Sequence, residues 1–265
     1  MLQKLKEKVY NSWPVDNAYR TLWFFYKKLI HPHTLDKNNT KINIGAGRWI
    51  RNGWITLDYY DFWYKDIYMK NCDINHNLMS FKPLPIKTNS VGMLFSSHCI
   101  EHIPEKFYPF LYKEFHRILK KGGVFRNMVP DFDIMYDDLL KGLSNNYDQE
   151  KIRYFFYFFC KYFDVKKMDL NKLKKEVKSL SKEDFADNYL AKVPYSWMKK
   201  HPGSHKSWWN YAKMSKMLKD VGFSKVYRSY PFKSKFKEFR SNYQFLNMGF
   251  DGTHPERSLI VEAVK

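Results

Sequence analysis

The stretch from Lys41 to Asp58 constrains the fold most, because it joins two short strands through a glycine turn. It reads KINIGAGRWIRNGWITLD. We expect strands at Lys41–Ile44 and Trp54–Leu57, with Gly45-Ala46-Gly47 as the turn; glycine reaches positive φ without strain and leaves room for a ligand. An acid that closes the next strand, here Asp58, is where nucleotide-binding α/β folds hydrogen-bond ribose hydroxyls. A GAG turn alone is more often a plain turn, so its pairing with Asp58 carries the prediction of a nucleotide site.

Strand-like and helix-like segments alternate beyond this stretch. Val91–Ser96 is a continuous apolar run, as in a strand covered on both faces. Phe107–Leu119 has helical spacing, and the following KKGG predicts a cationic, glycine-capped helix end. Val124–Val129 predicts the next strand. Such alternation implies a parallel sheet, whose ligands bind beyond the carboxyl ends of the strands. The residues expected at that edge are Gly45, Asp58, Asp73, Ser97, His98 and Asp131.

The sheet pattern is interrupted at about residues 136–200 and then returns. The interruption holds an aromatic helix, Ile152–Phe163, and a lysine-rich run, Lys166–Lys182, so we predict a helical insertion. It is either a lid over the sheet edge or an oligomer interface. The returning pattern comprises a helix at Trp208–Val221 capped by Gly222, strands at Lys225–Tyr230 and Ser258–Val264, and a loop or hairpin over Pro231–Arg257.

An aromatic segment, Ala18–Ile30, precedes the sheet and predicts a mostly apolar helix. We interpret it as packed on the domain or on a partner subunit; the alternative is a helix lying on a membrane surface. The chain therefore divides into an N-terminal helical extension, 1–36, and a domain, 37–265.

The net charge of the chain limits its binding partners, and the spacing of its cysteines limits the cellular compartment. The 46 Lys and Arg exceed the 27 Asp and Glu, giving a net charge of +19 over 265 residues. Such a field favours nucleic acid, phosphorylated sugars or an anionic membrane surface, although a coding bias toward lysine has the same effect. The three cysteines lack CxxC spacing, which indicates neither a disulfide framework nor a zinc site. With no transmembrane run and no signal peptide predicted, we expect a cytoplasmic protein, with peripheral membrane contact left open.

The order of these motifs resembles a known family. The segments INIGAG, GWITLD, CDINHNL, SVGMLFSSHCIEHI, EFHRILKKGGVFRNMVPD, GSHKSWW and SLIVEAVK are similar to class I S-adenosylmethionine-dependent methyltransferases of the type 11 kind. Within these, the chain resembles the predicted methyltransferases of surface-polysaccharide gene clusters. The resemblance covers about 40–130 and 203–265. It implies an α/β fold with a Rossmann-like, mostly parallel sheet whose last strand is antiparallel, and the helical insertion as a lid.

The resemblance also implies site residues. S-adenosylmethionine is the implied cofactor and S-adenosylhomocysteine the product. Asp58 matches the ribose-binding acid, while Asp73 with Ile74 matches the pair at the adenine edge, and Ser97 borders the methyl group. The full set of implied cofactor-binding residues is Asn43, Gly45, Ala46, Gly47, Asp58, Tyr59, Asp73, Ile74 and Ser97. Only residues 48–52 separate the glycine turn from Gly53, so the first crossover helix is expected to be a loop.

Methyl transfer to an oxygen usually needs a general base. The catalytic candidates are His98, His102 and Asp131. Each also has a structural alternative. His98 is alternatively a structural hydrogen-bonding histidine, His102 a helix cap or a supporting residue, and Asp131 a helix N-cap. His205 and Lys206 are candidates for contacting an acceptor phosphate, and Trp208 joins them as acceptor-binding. The spacing does not display the several carboxylates of catechol-type metal-dependent methyltransferases, so we expect no metal site.

These features favour O-methylation of a sugar in a surface glycan, nucleotide-linked or lipid-linked. Methylation of a small metabolite or a nucleic acid is the alternative, and nucleic acid is disfavoured because neither an RRM-like stacking motif nor an NPPY-like tetrapeptide is present. A non-catalytic scaffold subunit is opposed by the intact cofactor motifs. A dehydrogenase is disfavoured by the missing GxGxxG motif. The oligomeric state is left open.

Overall fold

A computed structural model describes residues 40–47, 53–59, 72–144, 147–240 and 255–265. The predicted helix at Ala18–Ile30, the extension 1–36 and the loop 48–52 lie outside these residues. The strands, in chain order, are β1 (Thr40–Ile44), β2 (Ile55–Asp58), β3 (Ile74–Asn75), β4 (Val91–Ser97), β5 (Leu119–Pro130), β6 (Lys225–Ser229) and β7 (Ser258–Val264).

These strands form one seven-stranded sheet in the order β3-β2-β1-β4-β5-β7-β6. The pairs from β3 to β5 are all parallel, and β7 is antiparallel to both β5 and β6. The expected mostly parallel sheet with an antiparallel last strand is therefore confirmed, and its strand order is that of the class I methyltransferase fold.

The register of the sheet fixes where the site lies. Ile44 pairs with Leu57 on one side and with Ser96 on the other. The residues that follow each of these positions, Gly45, Asp58 and Ser97, therefore leave the sheet at one common edge. This is the carboxyl edge at which parallel sheets bind ligands.

Helices cover the sheet and form a separate layer. They are α1 (Tyr108–Ile118), α2 (Phe132–Ser144), α3 (Gln149–Phe159), α4 (Leu170–Ser179), α5 (Lys182–Ala191), α6 (Tyr195–Lys200) and α7 (Tyr211–Asp220). Apolar side chains of α1 and α7 share one core with β1, β4 and β5. On the opposite face of the sheet, Trp54, Phe95 and Phe239 belong to a smaller cluster. Within the described part of the chain, none of the helices has the length and apolar character of a membrane span.

The predicted insertion is helical, as expected, and it has its own core. Helices α2 to α5 contribute buried side chains, among them Phe155, Leu173 and Phe185, to one cluster. Trp208 belongs to that cluster, whereas the next residue, Trp209, belongs to the core of the sheet. Two adjacent tryptophans thus join the two cores. Whether the insertion serves as a lid stays a prediction.

The predicted glycine cap of α1 is wrong. The helix ends at Ile118, and Leu119 is already extended as the first residue of β5. The register shifts where Gly92 of β4 faces the Lys120–Gly123 segment, so the glycines form a bulge within the strand. Gly122 has a φ of +74° and donates its N–H to the carbonyl of Lys265 at 2.9 Å. The glycines are required by this bulge rather than by a helix end.

The other predicted helix cap is confirmed, with a later helix start. Gly222 follows α7 with a φ of +106°. The helix begins at Tyr211 rather than at Trp208, because the Asn210 side chain caps it by accepting a hydrogen bond from the N–H of Lys213 at 2.9 Å. The two tryptophans before it are thereby left free to pack into the two cores.

Candidate active site

The glycine turn after β1 is held against the acid that ends β2. The Asp58 carboxylate accepts hydrogen bonds from the N–H of Gly47 at 2.6 Å and from the N–H of Tyr59 at 2.7 Å. Gly45 and Ala46 both donate their N–H groups to the carbonyl of Leu57. The structure therefore brings together the predicted cofactor residues at the ends of β1 and β2 as one hydrogen-bonded loop.

Two observations test whether this loop suits a nucleoside cofactor. A Cβ added to Gly45 would lie 2.1 Å from Sγ of Cys99, so the backbone there has no room for a side chain. Asn43 is 2% exposed, and its Oδ1 has no hydrogen-bond donor among the described residues. A carboxylate offers about four acceptor positions, so Asp58 can hold the loop and also accept from ribose hydroxyls. The residues present fit S-adenosylmethionine.

Asp73 directly precedes β3, and Ile74 is the first residue of that strand. The Asp73 carboxylate accepts from the N–H and the hydroxyl of Thr56, at 2.9 and 2.8 Å. Ile74 pairs with Leu57 inside the sheet, and Asn75 is the residue that pairs with Asp58 at the edge. The structure thus shows Asp73 joining β3 to β2, and its contact with adenine stays a prediction. Sequence reasoning did not single out Asn75.

His98 stands at the end of β4, directly after Ser97, at the same edge. Its backbone adopts a φ of +48°, a left-handed conformation that is uncommon outside glycine and is often found at functional sites. The His98 N–H donates to the carbonyl of Met128 at 2.8 Å, which fixes this turn. Its Nε2 lies 3.3 Å from the Ser258 hydroxyl, and its Nδ1 lies 3.1 Å from Oε1 of Glu101.

Three histidines surround the buried Glu101 carboxylate. His102 follows it in a 3₁₀ turn, Ile100–His102, and its ring lies against that of His205 with centroids 4.8 Å apart. Nε2 of His205 lies 4.0 Å from Oε1 of Glu101. His98, His102 and His205, predicted from distant parts of the sequence, therefore converge. Sequence reasoning did not single out Glu101, although its place directly before the candidate His102 was an available signal.

The electrostatics of this cluster follow from burial and from mutual contact. Burial raises the pKa of Glu101, but the contact with His98 outweighs this effect, and attraction to His102 and His205 adds to it when these are protonated, so that the pKa is about 2. Burial lowers the pKa of His205 to about 3 and also lowers the pKa of His102. Glu101 is therefore a carboxylate near neutral pH, facing two neutral imidazoles.

Asp131 is placed as a helix cap rather than as a base. Its carboxylate pairs with the Arg228 guanidinium and accepts from the N–H of Asp133 at 3.1 Å, at the start of α2. Asp131 is fully buried, and burial raises its pKa against the lowering effect of Arg228. Asp131 therefore acts as the N-terminal cap of α2, and this replaces the catalytic role that was expected for it.

The polar groups of Lys206 and Trp208 also form hydrogen bonds within the protein. The ammonium of Lys206 donates to the carbonyls of His102 and Pro202, at 3.0 and 3.3 Å, and burial lowers its pKa to about 8. Nε1 of Trp208 donates to Asp187 at 2.6 Å. A phosphate contact through Lys206 therefore does not fit this structure, because two carbonyls hold the ammonium. Trp208 does line a small cavity together with Glu101 and His205.

One segment of the chain matches the model of a known family. Residues 59–126 match the family model of a methyltransferase domain, a segment that starts directly after Asp58. No curated protein is similar enough to count as a relative.

Among solved structures, the chain is similar to an S-adenosylmethionine-dependent methyltransferase from Archaeoglobus fulgidus, at 14% identity and a TM-score of 0.44, over 100% of this chain and 99% of that one. It is also similar to one from Thermotoga maritima, a possible histamine N-methyltransferase, at 13% identity and a TM-score of 0.41, over 99% and 98% of the two chains. The chain therefore has the sheet order of the class I methyltransferase fold, and its residues 59–126 match a methyltransferase domain. Together they imply S-adenosylmethionine as the cofactor and S-adenosylhomocysteine as the product.

Proposed function

We propose that this protein methylates a hydroxyl oxygen of a sugar in surface-glycan biosynthesis, on a nucleotide-linked or lipid-linked acceptor. The observation that supports it most is the common edge at which the Asp58–Gly47 loop and His98 lie. In this proposal the loop would hold the nucleoside of the cofactor, and His98 would accept the proton. The sequence resemblance and the net charge of +19 support a phosphorylated sugar as the acceptor.

The bound cofactor supplies an electrophilic methyl group on sulfur. The Gly45–Gly47 turn and Asp58 would hold the nucleoside, and Asn43 offers a buried carbonyl oxygen toward its amino-acid part. In the reaction the acceptor oxygen forms a bond to the methyl carbon, the carbon–sulfur bond breaks, and the electron pair of that bond stays on sulfur. Alignment of the acceptor with that bond supplies much of the acceleration.

His98 is the residue we propose to take the hydroxyl proton. Glu101, 3.1 Å from Nδ1, favours a proton on that nitrogen and leaves Nε2 to accept. Ser258, 3.3 Å from Nε2, keeps the ring turned toward the edge. Glu101 is thus a positioning residue for His98.

Transfer of a radiolabelled methyl group to a panel of acceptors tests the proposal. The panel contains nucleotide sugars, lipid-linked sugars, small phenols and amines, and transfer RNA. We expect label on a nucleotide-linked or lipid-linked sugar only. His98→Ala should lose about 100-fold or more in turnover while retaining S-adenosylhomocysteine binding. The matched control is His201→Ala, a histidine on the exposed end of α6.

Other outcomes separate the alternatives. Label on a small metabolite or on RNA would contradict the sugar acceptor and keep the methyltransferase. Full turnover of His98→Ala would remove His98 as the base. Absence of both cofactor binding and transfer would favour a scaffold subunit.

A further inference from the structure

The cluster around Glu101 has a geometry that the methyl-transfer scheme does not use. One ligand atom from each of Glu101, His102 and His205 lies within 4.8 Å of the other two. We propose that these three side chains form a binding site for a divalent transition-metal cation of the zinc, manganese or iron type. This departs from the expectation of no metal site.

The carboxylate at the centre is buried without an adequate donor. Glu101 is 1% exposed, and neither of its oxygens has an aligned hydrogen-bond donor among the described residues. Its closest polar neighbour is Nδ1 of His98, 3.1 Å from Oε1. A buried charge without aligned donors is costly. A cation would satisfy it.

The spacing of the side chains suits coordination better than hydrogen bonding. Nε2 of His205 and Oε1 of Glu101 are 4.0 Å apart, which is too long for a hydrogen bond. Two ligands at about 2.0–2.2 Å from one metal ion lie roughly 3–4 Å apart. The observed separation is that of two ligands to one ion.

Neighbouring carbonyls orient both imidazoles. Nδ1 of His102 lies 3.2 Å from the Ser204 carbonyl, and the His205 ring hydrogen-bonds to the backbone of Phe158. A ring nitrogen that donates to a carbonyl leaves the other nitrogen as a lone pair, the arrangement that metal-binding histidines usually show.

The backbone holds the two distant parts of the site together. The N–H groups of Lys206 and Ser207 both donate to the carbonyl of Glu101, at 2.8 and 3.3 Å. Lys206 further ties its ammonium to the His102 carbonyl at 3.0 Å. The loop that carries His205 is therefore fixed on the turn that carries Glu101 and His102, so little ordering is needed on binding.

The ligand set indicates the class of metal. Two imidazoles and one carboxylate suit zinc, iron, cobalt or manganese, whereas calcium and magnesium prefer oxygen ligands. A cavity of about 10 Å³ adjoins Glu101 and His205, which is room for about one water molecule. Three protein ligands beside such a cavity leave a coordination position for water or for an acceptor oxygen.

A role for the cation rests on the proposed function. An ion bound to Glu101 would lie next to His98 and could bind the acceptor hydroxyl, lowering its pKa before the proton leaves. The oxygen that lies near His205, Oε1, is also the one that contacts His98.

Titration of chelator-treated, desalted full-length protein with cobalt(II) tests the site directly. We expect a visible absorption band that saturates at one cobalt per chain and is displaced by zinc. Glu101→Gln and His205→Ala should each weaken cobalt binding at least about tenfold. His201→Ala, which removes an exposed histidine outside the cluster, should bind as the wild type does. Metal should also raise the unfolding temperature of the wild type and not that of Glu101→Gln.

The proposal is overturned if cobalt gives no band, or if Glu101→Gln retains the full band and affinity. Circular dichroism of each variant excludes unfolding; if His205→Ala is unfolded, His102→Gln replaces it. Binding of S-adenosylhomocysteine is measured on the same metal-free samples. Intact cofactor binding without metal binding would reject the metal site alone, and loss of cofactor binding in the metal-loaded wild type would reject the proposed function instead.

Discussion

A Cβ placed on Gly45 would lie 2.1 Å from Sγ and 2.4 Å from Cβ of Cys99. The backbone of Gly45, directly after β1, is therefore packed against the side chain of Cys99, two positions beyond β4. The glycine turn is shaped by the neighbouring strand end as much as by a ligand.

Replacing Gly45 with alanine should destabilise the protein by about 2–5 kcal/mol. The overlap with Cys99 costs about 1–3 kcal/mol, and the φ of +63° adds about 1–2 kcal/mol for a residue with a Cβ. Urea unfolding measures the loss. Gly203→Ala is the matched control, since a Cβ there would meet no described atom within 4 Å. Equal stability of the two variants would contradict the close packing.

The buried ion pair between Arg126 of β5 and Glu262 of β7 should behave as a unit. Both side chains are fully buried, and Tyr227 donates to the other Glu262 oxygen at 2.7 Å. Arg126→Met leaves the Glu262 charge buried without its partner and should cost about 3–5 kcal/mol.

Adding Glu262→Met to that variant removes the orphaned charge and should recover part of the loss. Lys216→Met is the control, because it breaks an exposed pair with Asp220 and should change little. A double variant that is less stable than Arg126→Met would contradict this account.

The stability of the protein should fall as the Glu114 carboxylate is protonated. The hydrogen bonds from Arg117 lower the pKa of Glu114 below its usual 4.5, against burial, and the N–H of Leu84 donates to it at 2.7 Å. Because the unfolded chain binds the proton more readily, this stability is fully present above about pH 4.5 and is lost as pH falls through the folded pKa.

Glu114→Gln should therefore be less stable than the wild type at neutral pH, and the difference should shrink in acid. Denaturant unfolding across this pH range measures it. A difference that stays constant with pH would show that Glu114 acts by packing alone.

Local sequence patterns were sufficient to predict the loop at the ends of β1 and β2. The glycines and Asp58 lie within one short stretch, and parallel strands bring their carboxyl ends together, so adjacency in the fold follows from adjacency of strands. The same logic placed His98 correctly at the end of β4. It did not place Asp73, because β3 has only two residues and begins one residue after it.

The cluster around Glu101 could not be predicted in the same way. The loop before α7 brings His205 to Glu101, although the two residues are about a hundred positions apart. The spacing of apolar and polar residues along the chain does not indicate such a long-range contact. Lysine is rarely buried, so Lys206 was a candidate for contacting an acceptor phosphate rather than for a buried structural role. Only the fold shows that two carbonyls receive its ammonium.

Calorimetric titration with S-adenosylhomocysteine, and separately with NAD, tests the central claim most directly. The wild type and Asp220→Ala, a surface variant, should bind S-adenosylhomocysteine and give no response to NAD. Asp58→Ala should lose that binding with its circular dichroism unchanged, because the carboxylate that holds the loop and accepts from ribose is gone. Unchanged binding by Asp58→Ala, or NAD binding by the wild type, would contradict the account.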